Sequence, residues 1–474
     1  MPLPRLIQAH VSCAMSPCSS IATARALSFT SFQADHFHHD KLLLISKCSN
    51  FQSCVDSGDM QSFASAASSR TVDSLMIFLA RVQVFCAKTI CRSPEAPRQI
   101  DPAGSKKILV IQLYDTLGDV VCTSPLLREL AQNFPASTLT VAVSAHGVAG
   151  LLDENPYISD IIPVNISCAK WLRPLLLPWR HWWLARKIFK QRHFDVAIIP
   201  RYSVDSSYAT FLAYFSGVPC RIGYTERTSL RRSVLNRNWD QLLTIALPPF
   251  EELANEVLLN LNVLSAFSKS TKDNRTEVWI TNEDRQFASA AVQHLGHRRV
   301  CLSPTSGHSG LKQWGVDRFA ELAVELVRCR CDIVLVGGPQ DYSLAASIEQ
   351  RLNGLCVNLV GKTSIREMAA VMSKCNVYVG NDAGPGHVAS AMNVPTVSIF
   401  GSSCHHQFAP WGQQNHVLSV NLECSPCSAG HLIDRCTRCI YNKPKCLEAI
   451  TVAEVLATVL SAIEFPDALG ADCR

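Results

Sequence analysis

The sequence predicts an α/β protein of two doubly wound, Rossmann-like domains facing each other across a cleft. Three observations predict it. Apolar segments of strand length alternate with helical segments from Lys106 onward. The alternation pauses at a polar stretch, 268–275, and then starts again. The strands are near-continuous apolar runs, the pattern of parallel sheets covered on both faces.

In the first series, strands are expected at Ile108–Leu113, Thr138–Val143, Asp160–Val164 and Phe194–Pro200. Helices are expected at Val120–Phe134, in the basic stretch Trp179–Arg192, and at Phe250–Phe267, which closes the domain. In the second series the expected strands are Val300–Ser303, Asp332–Val336, Val357–Val360, Val377–Val379 and Thr396–Phe400. Helices at Asp317–Arg328, Ser343–Leu352, Ser364–Cys375 and Gly386–Met392 separate them, and Val452–Ile463 is a final amphipathic helix. The domains therefore span 106–267 and 276–474, with a cysteine-rich segment at 424–446.

Residues 1–105 read differently, as a leader of Ser, Ala, His and Cys with little periodicity. Met1–Thr30 lacks acidic residues, as transit peptides do, while a disordered or extraneous leader is the competing reading. Met15 and Met60 offer alternative starts. Thr71–Arg92 is expected to be a helix with Leu75, Phe78, Leu79, Val82 and Phe85 on one face. Ser93–Gly104, with three prolines, reads as a linker.

Hydrophobic residues make up 47% of the 474 and charged residues 18%, enough for large globular cores. A net charge of +5, with no concentrated basic run, excludes a nucleic-acid-binding class while allowing an anionic ligand. No apolar stretch reaches the roughly 18–20 residues of a membrane span. The 21 cysteines are scattered through expected core strands. Buried free thiols behave as small hydrophobes, so a reducing, cytoplasmic location is expected.

Three segments can carry chemistry, and all follow expected strands. In Leu117-Gly118-Asp119, Gly118 permits a sharp turn or close approach. Asp119 is either a helix cap or a general base, and Asp115 is a second carboxylate on the same loop. In the segment 303–314, Thr305, Ser306 and Gly307 offer hydroxyls and backbone N–H groups, and Lys312 offers charge to a diphosphate; a solvated loop lysine is the alternative. In the segment 380–391, a Gly-rich turn containing Asp382, Ala383, Gly384 and His387 aims a helix N-terminus at an anion. Asp382 suits sugar or ribose hydroxyls, and His387 can donate to phosphate.

Other signals are weaker or excluded. Val360–Ser364 looks like the end of a P-loop, but that motif needs glycine where Cys356 stands. No Asp-x-Asp pair offers a carboxylate clamp for a metal-bound nucleotide. Cys424, Cys427, Cys436 and Cys439 have the paired spacing of zinc ligands, against which stand a disulfide or free thiols. The stretch Lys170–Arg192 interleaves cations with Trp171, Trp179, Trp182 and Trp183 and contains no acid. It reads as a solvated helix with a Trp-bearing core face, or as a patch for an anionic acceptor or membrane surface.

Together the segments resemble glycosyltransferase family 9, the ADP-heptose:lipopolysaccharide heptosyltransferases. Leu117-Gly118-Asp119, Asn155-Pro156-Tyr157, Lys312-x-Trp314, Val336-Gly337-Gly338-Pro339 and the segment Asn381–His387 carry the resemblance, which runs from about Lys106 to Ile463. It implies a GT-B fold in which the first domain binds a lipopolysaccharide core acceptor of lipid A-Kdo type and the second binds ADP-heptose. Asp119 matches the general base of an inverting transfer, with Gly118 and Arg201 on the acceptor side. Thr305, Ser306, Lys312, Asp341, Asp382, Ala383, Gly384 and His387 fall on the donor side, Asp341 as a ribose contact. The implied co-substrate is the nucleotide sugar, with no cofactor or metal required. The implied location is the cytoplasm, including peripheral contact with the inner face of the cytoplasmic membrane. The alternatives are another nucleotide sugar or glycan acceptor, a nucleotide-sugar epimerase, a glycan-binding protein without turnover, or a non-catalytic metal or redox module built on the C-terminal cysteines.

Overall fold

Strand β1 (Lys107–Gln112) is buried at every position after Lys107. That burial explains the unbroken apolar run: a central strand covered on both faces has no solvent side to make polar. The computed structural model describes residues 60–91 and 106–464, apart from 115, 145–147, 170–171, 251, 306, 308 and 428–438. The rest of the expected leader, the linker 93–104, Asp115, Ser306 and Cys436 lie outside the described residues.

Helix α1 (Met60–Ile90) begins eleven residues before the expected Thr71. After β1 come α2 (Leu117–Asn133), β2 (Thr138–Ser144), β3 (Asp160–Val164), α3 (Arg173–Leu184), β4 (Val196–Ile199), α4 (Ala209–Phe215), β5 (Cys220–Tyr224), α5 (Leu230–Leu235), β6 (Ile245–Leu247) and α6 (Glu256–Leu261). The second series runs α7 (Asn282–Val292), β7 (Arg299–Ser303), α8 (Val316–Arg328), β8 (Asp332–Leu335), α9 (Tyr342–Arg351), β9 (Val357–Asn358), α10 (Ile365–Met372), β10 (Val377–Asn381), α11 (Gly384–Ala391), β11 (Thr396–Ile399), α12 (His405–Phe408), β12 (Asn415–Leu418), α13 (Lys445–Glu448) and α14 (Val452–Glu464).

The first sheet has the order β3-β2-β1-β4-β5-β6 and the second β12-β11-β10-β7-β8-β9, parallel throughout. Each is a doubly wound Rossmann sheet whose strand order reverses once, between β1 and β4 and between β7 and β10. Ligands in such sheets bind at that switch point, beyond the strand C-termini. All three chemical segments follow strands that flank a switch point. In α8, Phe319, Ala320, Leu322, Ala323 and Leu326 are buried at helical spacing, and Trp314 meets Phe319 edge-on at 5.0 Å. Phe319→Ala would cost about 3–5 kcal/mol.

Several expectations are corrected. The face of α1 that carries the larger apolar side chains is the exposed one. Ala80, Val84 and Ala87 pack inward, and Leu75, Phe78, Val82 and Phe85 face solvent. The basic helix starts at Arg173, with Pro174 in its first turn and Pro178 inside it, and continues through a π-turn, 185–189. The closing helix is shorter than 250–267: it starts after the Asn255 cap and tightens to 3-10 geometry at Asn262.

The linker between the sheets is held by α2. Arg128, 2% exposed, donates to the carbonyls of Asp273 and Arg275 at 2.8 and 2.9 Å and pairs with Glu277 at 2.8 Å. Glu129 accepts from the Lys272 and Asp273 N–H groups at 3.0 and 2.8 Å, and Ser124 from that of Glu277 at 2.9 Å.

Candidate active site

Asp119 is the third residue of α2, not its cap; Thr116 holds the cap position and donates its hydroxyl to the Asp119 carboxylate at 2.5 Å. Gln112 Nε2 and Thr123 Oγ1 donate to the Asp119 carbonyl at 3.2 and 2.9 Å, fixing its backbone. The carboxylate lies in the first turn, where the helix dipole favours an anion. Arg201, beyond the end of β4, reaches it across the switch point at 3.3 Å. The guanidinium also sits over the Tyr114 ring, 4.8 Å from its centre. Asp119 and Arg201 are thus brought together, one from each side of the point where the strand order reverses.

The second switch point is assembled around Asn381. Its Nδ2 donates to the carbonyls of Pro304 and Thr305, each at 3.0 Å, and its Oδ1 accepts from the Trp314 N–H at 3.0 Å. One buried amide therefore joins the loop after β7 to the end of β10. Lys312, on a 3-10 turn of that loop, pairs with Asp382 at 2.6 Å. Thr305 is buried, with its hydroxyl 3.4 Å from the Gly307 N–H. Ala383 caps α11 in extended conformation. Pro385 has no N–H, and that of Gly386 is taken by the Ala383 carbonyl at 3.2 Å. Few backbone donors are left for an anion at this helix start.

Asp341, the ribose contact implied by the resemblance, is engaged within its own turn in this structure. Its buried carboxylate caps its own turn, accepting from the Gly338 N–H at 3.0 Å and from Gln340 at 3.2 Å.

The two halves meet through the N-terminal turns of α2 and α11. A Cβ on Gly118 would stand 2.8 Å from His387 Cδ2, and one on Gly384 would stand 2.7 Å from the Leu117 Cβ. Both are below contact distance, so only glycine lets these helix ends approach as they do. His387 Nδ1 lies 3.5 Å from Cys122 Sγ of the first domain. Burial pulls the His387 pKa below its ordinary value, against the opposing fields of Asp382 and Asp119. The imidazole is therefore neutral at pH 7 and wedged between the domains, within the fields of both the front carboxylate and Lys312. Burial, and then Asp119, push the Cys122 thiol well up, so it is not a nucleophile.

A model described as glycosyltransferase family 9 (heptosyltransferase) matches residues 182–433. The chain belongs to this family. The lipooligosaccharide heptosyltransferase 2 of Campylobacter jejuni is 25% identical over 178 residues, 37% of this chain and 54% of that protein, so the match spans about half of that relative. The family 9 glycosyl transferase of Veillonella parvula superposes with a TM-score of 0.62 at 20% identity, covering 78% of this chain and 99% of that one. The ADP-heptose lps heptosyltransferase II of E. coli gives 0.56 at 20% identity, covering 76% and 100%. The architecture is the GT-B fold of these family 9 proteins.

Four residues at the family 9 cleft escaped sequence reasoning. Tyr114 precedes and Cys122 follows the singled-out Leu117-Gly118-Asp119, Cys122 one helical turn after Gly118. Glu256 and Gln407 carry no motif. Gln407 Nε2 donates to Glu256 Oε1 at 2.6 Å from one domain to the other, beside Asn255 Nδ2 donating to the Ala409 carbonyl at 3.0 Å. Burial first, then the charge of Asp119, push the Glu256 carboxyl up to about 7, against Arg201 and the Gln407 bond.

Among the described residues, which leave out Cys436, no group of three or more His, Cys, Asp or Glu is arranged to hold an ion. Cys427 Sγ donates to the Cys424 carbonyl at 2.9 Å, and Cys439 Sγ to that of Lys443 at 3.1 Å.

Proposed function

We propose that this chain transfers heptose from ADP-heptose to a lipopolysaccharide core acceptor of lipid A-Kdo type, with inversion at the anomeric carbon. The observation that carries this reading is the meeting of two switch points. A carboxylate paired to an arginine (Asp119, Arg201) and a lysine paired to a carboxylate (Lys312, Asp382) flank one neutral histidine between two helix N-termini. In the transfer, Asp119 takes the acceptor hydroxyl proton. The acceptor oxygen bonds to the anomeric carbon as the bond to the diphosphate oxygen breaks, and ADP leaves with the electron pair. Lys312 meets the growing leaving-group charge, as does the positive end of α11. Asp382, displaced from Lys312 by the diphosphate, can turn to sugar or ribose hydroxyls. This arrangement calls for no cofactor beyond the nucleotide sugar. The names of the similar proteins support the choice of heptose and lipopolysaccharide.

The test is incubation of the purified chain with ADP-heptose and a Kdo-lipid A acceptor, following ADP release and product mass. Transfer is expected, and Asp119→Asn should reduce it at least 100-fold while leaving ADP affinity within a few-fold. Near-normal transfer by the variant removes the base assignment. Transfer from another nucleotide sugar alone overturns the donor.

A further inference from the structure

Helix α1 is laid on the first domain by its small-residue side, and its bulky side has no partner among the described residues. Phe78 and Phe85 are 61% and 71% exposed, with Leu75 and Val82 on the same stripe. Gln83 donates to the Pro174 carbonyl at 2.7 Å, which ties α1 to the start of α3. There, Trp179 and Trp183 are 61% and 56% exposed. On another side α1 packs on α5, whose Leu230 is 74% exposed. Three adjoining helices thus turn large apolar side chains outward.

The charge on these three helices is positive except at Asp73 of α1. Arg81 and Lys88 flank the α1 stripe, while Arg186 and Lys187 sit over the Trp182 and Trp183 rings at 5.0 and 4.8 Å. Residues 74–92 and 170–192 contain no acidic side chain. Aliphatic and aromatic side chains ringed by cations suit the boundary of an anionic bilayer, where rings and chains enter the headgroup layer and cations meet lipid phosphates. No described helix is long and apolar enough to cross a membrane, so α1 would lie on the surface.

We propose that α1, with α3 and α5, is a docking face for an anionic lipid bilayer. It adjoins the acceptor side of the cleft through α5. The buried Arg232 of that helix donates to the carbonyls of Arg201, Tyr202 and Ser203 at 2.7, 3.0 and 2.5 Å, so the helix that meets the lipid also holds the loop carrying Arg201. Docking would present the acceptor mouth to a lipid-anchored substrate; this last step rests on the transferase reading, whereas the docking does not.

Sedimentation of the full chain with vesicles tests it without any turnover. Binding is expected to phosphatidylglycerol-containing vesicles, with little to pure phosphatidylcholine, weakened several-fold by 0.5 M salt, and with a blue shift in tryptophan fluorescence. Phe78→Glu/Phe85→Glu should lower the partition coefficient at least tenfold while leaving ADP affinity and melting temperature unchanged, and Trp179→Ser/Trp183→Ser should abolish the blue shift. Failure to bind either vesicle, or undiminished binding by the Phe variant, overturns the proposal. So does a dimer in sedimentation velocity that the same substitutions dissociate, which would assign the face to a second copy.

Discussion

Glu256→Gln probes the carboxyl that bridges the two domains. Glu256 is 8% exposed, and its carboxyl titrates near pH 7 in place of the ordinary 4.5, because burial and the adjacent Asp119 disfavour its charge. The folded chain thus keeps a proton that the unfolded chain releases. The stability from this group is fully present below pH 4.5 and is lost as pH rises through 7. Over those roughly 2.5 pH units, at about 1.4 kcal/mol each, the loss approaches ~3.5 kcal/mol. Glutamine keeps the oxygen that accepts from Gln407 and cannot ionise. Wild type and Glu256→Gln should therefore melt together near pH 4.5, separate progressively, and differ most above pH 8, the variant being more stable. Thermal melts at half-unit pH steps, with urea titrations at pH 5 and 8.5, measure the gap. Parallel curves across that range, or a variant less stable at pH 8.5, would refute the reasoning and leave Glu256 an ordinary ion-paired carboxylate.

Gly384→Ala places a Cβ 2.7 Å from that of Leu117, so the helix ends must separate at a cost of about 1–3 kcal/mol. Turnover should fall roughly 5- to 150-fold with ADP affinity less affected, and Leu117→Gly in the same chain should recover most of it. Lys312→Met should weaken ADP binding by calorimetry about 10- to 100-fold, the worth of one charged hydrogen-bonded contact. Asn381→Ala leaves two carbonyls and one N–H without their bonds; a stability loss of about 2–5 kcal/mol in urea melts is expected, with donor binding impaired.

Much of the fold was legible because buried parallel strands cannot disguise themselves: segments such as Lys107–Gln112 and Asp332–Leu335 have no polar face. The elements that escaped lack that signature. Strand β5 carries Arg221 and Gly223 within five residues, and Arg221 is tolerable there only because the carbonyls of Leu242 and Val218 take its guanidinium. Strand β12, half-buried at the sheet edge, opens with Asn415 and His416. In α1, periodicity located one shared face but not which way it turns, since alanines can seat a helix as closely as phenylalanines. At the cleft, Asp119, Lys312 and Asp382 could be found because a strand, a turn and a helix start bracket each of them. Glu256 and Gln407 acquire meaning only from a contact between residues 151 positions apart.

The grip of α2 on the linker makes that helix a lever. Its fulcrum is the cluster of Arg128 and Glu129, and about 14 Å along the rod stands Asp119. Any swing of the rear domain about 272–277 would pull first on this rod, the helix that carries the proposed base.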